Sequence, residues 1–349
     1  MYGTYRIPGK KLPAFTLKAD FTLKDEVFAL LGASGCGKSM TLKCIAGIER
    51  PDKGHIVLDG KVLFDSEQQI NLPPQKRQIG YLFQHYALFP NMTIAENIRF
   101  VMPPNTAHND KTIQKLLNTF QLTDLADTYP AALSGGQQQR AALARILATP
   151  AKILLLDEPF SALDSYLKGQ METELMDILP AYGRTAILVS HDRGEVYRLA
   201  DKAAVINQGK METPQNTKDL FHNPQTLAAT LLTGCKNISR AQRIDDRHIY
   251  ALDWDLPLKT VAEPSSQIKY TAIRAHFLTA QEKTAGENVF PMEVVRVIED
   301  TFSYIVMVRP QGKAVKPLRW ELDKQQWQQL KKTTLYLYLP PEQIMMMNS

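Results

Sequence analysis

Gly32-Ala33-Ser34-Gly35-Cys36-Gly37-Lys38-Ser39 joins three glycines to a lysine and a hydroxyl. In this spacing the glycines let backbone N–H groups converge on phosphate oxygens at a helix N-terminus. Lys38 would then reach the β- and γ-phosphates of a nucleotide, and Ser39 would ligate Mg²⁺. A second group lies far along the chain, where Asp157-Glu158-Pro159 follows the apolar run Ile153-Leu154-Leu155-Leu156. Asp157 lands at the tip of a buried strand, where a carboxylate can hold hydrated Mg²⁺. Glu158, one residue on, can polarise an attacking water as general base. An Asp-Glu-Pro turn could also do no more than solubilise a strand end; beside a phosphate loop the catalytic reading is preferred.

Leu133-Ser134-Gly135-Gly136-Gln137-Gln138-Gln139-Arg140 has the form of a Ser N-cap and glycine turn before an Ala-rich helix. It also resembles the ABC signature motif. With the glycine loop before it and Asp157-Glu158 after it, residues 20 to 232 at least resemble the ATP-binding subunits of ABC transporters. The resemblance implies ATP and Mg²⁺ as ligands, and a homodimer in which Ser134, Gly135, Gly136 and Gln137 meet the γ-phosphate of ATP held by the other subunit. It implies that Gln84, in Tyr81-Leu82-Phe83-Gln84, touches Mg²⁺ and water, and that His191, after Val189-Ser190, is a switch on the γ-phosphate. Asp164, in Ser161-Ala162-Leu163-Asp164, would couple the two sites. Met40 stands where many relatives have a hydroxyl, so one α-phosphate contact would be missing. Relatives usually stack an aromatic on adenine; Tyr5 and Phe15 offer no clear match, and Phe15 reads better as part of an alternating strand with Leu17.

These residues need elements to hold them. Val27-Phe28-Ala29-Leu30-Leu31 reads as a buried strand ending at Gly32, and Met40, Leu42, Ile45 and Ala46 recur at helical spacing after Lys38. Ile153–Leu156 and Thr185–Val189 are further buried strands, each with polar residues at its carboxyl end, where open α/β sheets build their sites. From about 88 to 150 the pattern turns helical. The expected fold is an α/β P-loop ABC ATPase domain over 1–232 with that helical subdomain inserted. From about Pro224 to Thr233 a connecting helix is expected, and beyond it short alternating runs (His248–Leu252, Ile268–Phe277, Phe290–Val297, Tyr304–Val308) predict a small β-barrel over 233–349. The resemblance makes that region a TOBE or OB-like accessory domain.

At 349 residues two folding units are expected, and 44% hydrophobic with 22% charged residues is an ordinary globular composition. The 41 basic against 36 acidic residues give no basic stripe of the kind nucleic acid demands, which argues against the DNA-repair and translation ATPases of the same class. No apolar run approaches the roughly 20 residues that span a bilayer. Three cysteines, Cys36, Cys44 and Cys235, lack metal-like spacing and fit reduced thiols. With no apolar stretch of signal-peptide length near the start, the expected place is the cytoplasmic face of the inner membrane. There the resemblance implies permease subunits as partners and, indirectly, a solute-binding protein. Leu72–Tyr81 and Leu88–Thr93 look like importers of sugars, polyamines and oxyanions. Leu58–Asp65, Gly234-Cys235-Lys236-Asn237 and Ile273–Phe277 look most like molybdate-type ATPases, with sulfate as the nearest alternative.

Overall fold

A computed structural model describes residues 2–83, 86–104, 109–181, 185–281, 286–330 and 335–349. The chain divides into two compact units, 1–218 and 219–349. That division falls earlier than the expected 232/233. The helix Leu227–Leu232 belongs to the second unit because its first amide donates to Ser349 O at 2.7 Å and Thr230 Oγ1 donates to the Met347 sulfur at 2.8 Å.

The first unit is built on a twelve-stranded sheet. Its parallel half consists of β3 (Val27–Leu31), β7 (Ile79–Leu82), β8 (Ile153–Asp157), β9 (Thr185–Val189) and β10 (Lys202–Asn207), in the order β10-β3-β9-β8-β7. β8 and β9 are buried at every position, as parallel strands covered on both faces must be. The antiparallel half holds β1 (Tyr2–Lys11), β2 (Thr16–Lys24), β4 (Lys53–Leu58), β5 (Lys61–Asp65) and β6 (Ile70–Asn71), with β1 between β2 and β4. β11 (Lys210–Met211) joins the halves, and β12 (Gln215–Asn216) pairs with β10. Along β2, Leu17, Ala19, Phe21 and Leu23 point into the core while their neighbours are exposed. Phe15 lies just before that strand and is half-buried.

Helix α1 (Lys38–Ala46) follows β3 through the glycine loop. Between β7 and β8 the chain carries α2 (Ile94–Phe100), α3 (Asn109–Thr119) and α4 (Gly135–Ala148), with α2 and α3 packed on α4. α5 (Ser165–Ala181) and α6 (Arg193–Leu199) follow β8 and β9.

The second unit holds two five-stranded antiparallel sheets. One runs β15-β14-β13-β16-β22 and comprises Leu256–Lys259, His248–Ala251, Asn237–Arg243, Tyr270–Ile273 and Met345–Met347; the other runs β17-β21-β18-β19-β20 and comprises Thr279–Gln281, Leu335–Tyr338, Val289–Glu299, Ser303–Pro310 and Leu318–Asp323. Ile249, Leu258 and Ile273 from the first meet Met292, Val306 and Trp320 from the second in one apolar core. The expected small β-rich unit is present as two antiparallel sheets that share one apolar core among the described residues. Alternation predicts strands well, but it does not say which strands pair across long separations.

Candidate nucleotide site

The parallel strands bring four separated segments to one edge of the sheet. The glycine loop leaves the carboxyl end of β3, Asp157 and Glu158 that of β8, Ser190 and His191 that of β9, and Phe83 that of β7. β9 lies between β3 and β8, yet Ser39 Oγ donates to Asp157 Oδ1 across it at 2.8 Å. Tyr81 OH donates to the other oxygen, Oδ2, at 3.0 Å. Both oxygens of this buried carboxylate are thus oriented. Burial raises the Asp157 pKa, with the Ser39 and Tyr81 hydrogen bonds working the other way. The Tyr81 phenol is itself pushed far up, first by burial and then by the Asp157 charge, so it stays a donor. Ser39 and Asp157 supply hard oxygens of the kind Mg²⁺ takes alongside water and substrate phosphate, so the residues fit that ion.

Lys38 is only 6% exposed; its ammonium donates to Gly32 O at 2.8 Å and Ala33 O at 3.0 Å. It is folded back on the carbonyls of its own loop, where an arriving phosphate could take over those bonds. Gly37 caps α1 with φ 113°, a conformation L side chains rarely adopt. A Cβ at Gly32 would come within 2.4 Å of Cys36 Sγ and 2.5 Å of Ile206 O, so that position is closed to any side chain. Ser34, Gly35 and Ala33 complete the loop, and Met40 sits half-buried in the first turn of α1. The Phe15 ring lies beside this loop, 3.4 Å from where a Gly37 Cβ would stand.

Glu158 Oε1 lies 3.4 Å from His191 Nδ1, with the two side chains 24% and 67% exposed. Acid and imidazole therefore face the same open side of the sheet edge. Glu158 has φ 52°, and its amide donates to Val189 O at 2.9 Å. Asp164 Oδ1 accepts from the amides of Tyr166 and Leu167 at 3.0 Å and so starts α5.

Ser134 and Gln137 form a capping box at the exposed N-terminus of α4. Ser134 Oγ accepts from Gln137 N at 3.3 Å, and Gln137 Oε1 accepts from Ser134 N at 2.8 Å. Gly135 has nothing within 4 Å of where a Cβ would stand, so the helix end is open there, the form that suits an anion, while Gly136 packs against the Leu163 side chain. Gln84 lies outside the described residues.

Three groups that sequence reading passes over hold this site in shape. Tyr81 orients Asp157, as above. Lys168 on α5 bridges Asp192 at 2.5 Å and Glu195 at 2.6 Å, and Ser190 Oγ donates to the second oxygen of Glu195 at 2.5 Å. This network ties the helix after Asp164 to both flanks of His191. Burial disfavours the Lys168 charge, but the two carboxylates hold its pKa above the ordinary lysine value. Arg77, 1% exposed, donates to Cys44 O and Ile45 O at the far end of α1. An i,i+3 charge pattern after His191 was the one signal in the sequence for Lys168's partners; a lone arginine after Pro73-Pro74 gives none.

Residues 18–161 match the profile of the family described as ABC transporter. Over 247 residues the chain is 38% identical to the Fe(3+) ions import ATP-binding protein FbpC of Haemophilus influenzae strain 86-028NP, covering 70% of each chain. The chain belongs to the ABC transporter family, as one of its ATPases. This ABC ATPase is also 36% identical over 301 residues to the sulfate/thiosulfate import ATP-binding protein CysA of Nitrosomonas europaea, covering 83% of this chain and 81% of that one. It is 41% identical over 218 residues to the putrescine transport ATP-binding protein PotG of Escherichia coli K12, covering 62% and 56%. Among solved structures, the ADP- and Pi-bound post-hydrolysis dimer of the ATP-binding cassette MJ0796 superposes with TM-score 0.53 at 26% identity, over 62% of this chain and 99% of that one. Among the described residues of the ABC ATPase no helix is long and apolar enough to cross a membrane.

Proposed function

We propose that this ABC ATPase is the ATP-hydrolysing subunit of an importer, acting as a homodimer on separate permease subunits at the cytoplasmic face of the inner membrane. The observation that carries the proposal is the convergence of Lys38, Ser39, Asp157, Glu158 and His191 on one sheet edge beside the glycine loop. The import names of the FbpC and CysA relatives, the transport name of PotG and the dimeric neighbour support it.

In this reading the amides of 32–40 and the Lys38 ammonium hold the phosphates of ATP. Ser39 and Asp157, with Gln84, would hold Mg²⁺, which when bound neutralises charge on the phosphate oxygens. Glu158 takes a proton from the attacking water, and His191, within reach of Glu158, contacts the γ-phosphate. The capped end of α4 at Ser134–Gln137 meets ATP bound by the partner subunit, with its amides and helix dipole favouring the anion. Asp164 fixes the start of α5 and couples the two sites. The second unit is a TOBE-like accessory domain.

The cargo we infer is an oxyanion, molybdate or tungstate. Its support is the resemblance of Leu58–Asp65, Gly234–Asn237 and Ile273–Phe277 to molybdate-type ATPases, together with the sulfate/thiosulfate relative. The ferric-ion and putrescine relatives define the competing cargoes. Reconstitution with the permease and its solute-binding protein tests both levels. ATPase stimulation by binding protein loaded with molybdate or tungstate is expected. Stimulation by sulfate, ferric ion or putrescine instead would replace the cargo, and no stimulation with any of them would overturn the importer reading.

A further inference from the structure

Gln139 lies on α4, five residues beyond Ser134, and is 1% exposed. Both ends of its amide are used on one loop: Nε2 donates to Glu158 O at 3.3 Å, and Oε1 accepts from Ala162 N at 3.1 Å. The loop it clasps is the one that carries Glu158 and leads to Asp164. Glu158 itself sits at φ 52°, a left-handed conformation seldom taken by residues with a Cβ and kept only where surroundings over-determine it. Its amide is held from the β9 side by Val189 O, and its carbonyl from the helix side by Gln139. The direction in which the Glu158 carboxylate projects is therefore set jointly by the sheet and by α4.

The same helix begins with the capping box at Ser134–Gln137. Gln139 stands less than two turns from that end, so a shift of the helix N-terminus is carried to the clasp by rigid backbone. We propose that Gln139 is a positioning residue for Glu158: seating the Ser134–Gln137 segment on the partner subunit's ATP sets, through the Gln139 amide, the carboxylate geometry at the subunit's own hydrolytic site. This rests on the roles given to Glu158 and Ser134 under the proposed function. Only a side chain that both donates and accepts at these two atoms can do it; glutamate cannot donate when ionised, and methionine does neither well.

The test compares Gln139→Glu and Gln139→Met in the full chain with two references. Glu158→Gln reports on the base itself, and Leu143→Ala removes a buried apolar group from the same helix, away from the clasp. Mg-ATP affinity, single-turnover hydrolysis, the Hill coefficient for ATP and the unfolding temperature are measured on each. Both Gln139 variants are expected to hydrolyse about ten- to hundredfold more slowly, the scale of loss for a misplaced reacting group. Their ATP affinity is expected to stay within about twofold, the pattern of an interaction that matters in the transition state. The Hill coefficient should fall towards one. Leu143→Ala should lose thermal stability with its rate retained. Wild-type rates in Gln139→Glu, or a rate loss in Leu143→Ala that matches the Gln139 variants at equal loss of stability, would overturn the proposal. With Glu158→Gln inactive, that failure belongs to the clasp alone; full activity in Glu158→Gln would remove the base assignment and the proposal with it.

Discussion

Replacing Arg77 with methionine should loosen the phosphate-loop helix from its far end. The guanidinium donates to Leu72 O at 2.8 Å, Cys44 O at 3.0 Å, Ile45 O at 2.7 Å and Asn71 Oδ1 at 2.8 Å. At about 1.5–3 kcal/mol for each charge-assisted bond, the gross contribution is roughly 6–12 kcal/mol. Against this, burial lowers the Arg77 pKa from its ordinary value to about 10, which at about 1.4 kcal/mol per pKa unit is a cost of roughly 3 kcal/mol. Methionine relieves that cost but takes the guanidinium donors from the carbonyls at the end of α1, of which Cys44 O keeps only its bond from Gly47 N. The difference is a net loss of roughly 3–9 kcal/mol, and other broken buried charge networks place it near the lower end, about 3–5 kcal/mol. A shift of about 10 °C in unfolding temperature follows for a unit of this size. Urea unfolding followed by circular dichroism gives the free energy, and nucleotide titration reports whether Lys38 and Ser39 at the other end remain placed. A loss under about 1 kcal/mol, the ordinary effect of a surface change, would refute the argument that Arg77 clamps this helix.

A mixture of Lys38→Ala and Ser134→Arg subunits should recover part of the hydrolysis that each pure variant lacks, because one of the two shared sites then carries neither lesion; activity no higher than in the parents would count against sharing. The native chain should react slowly with an aromatic disulfide reagent at pH 8 and yield three thiols on unfolding, since all three cysteines are buried and burial pushes Cys44 up to about 12 and raises Cys235. For Asp192, burial acts to raise the pKa, but the Lys168 ammonium and the Gly194 and Glu195 amides outweigh it and hold it below 3.8. Its contribution to stability is present above that value and lost as pH falls through the lower folded-state pKa. Unfolding temperature measured from pH 7 to pH 3 should therefore drop less steeply in Asp192→Asn than in the native chain.

The parallel half of the sheet was legible because β3, β8 and β9 are short apolar runs with polar tips, and those tips form the candidate site. The antiparallel half was not. β1 contains Gly3, Pro8 and Gly9 and shifts register between Ile7 and Lys10, which breaks the alternation that marks a strand. The β4–β5 hairpin did carry a usable signal, Asp59-Gly60 with φ 48° and 74°, a turn pair favoured between antiparallel strands. Lys38, Ser39, Asp157 and Glu158 could be proposed from local order, and His191 from the family resemblance. Tyr81, Gln139 and Lys168 could not, since each matters through a partner brought near only by the folded sheet: Asp157, the Glu158 loop, and the pair Asp192 and Glu195. The left-handed backbone at Glu158 is likewise a property of its two anchors and not of its residue type.

In the proposed mechanism the proton transfer falls to Glu158, whose carboxylate lies 3.4 Å from the His191 imidazole. Single-turnover hydrolysis by Glu158→Gln, with Mg-ATP affinity measured on the same protein, isolates the proton-transfer role. The expected result is unchanged nucleotide affinity, hydrolysis slower by about two to four powers of ten, and an ATP-bound dimer accumulating on a sizing column. Turnover within about tenfold of the native chain, below the usual range for loss of a general base, would contradict the account.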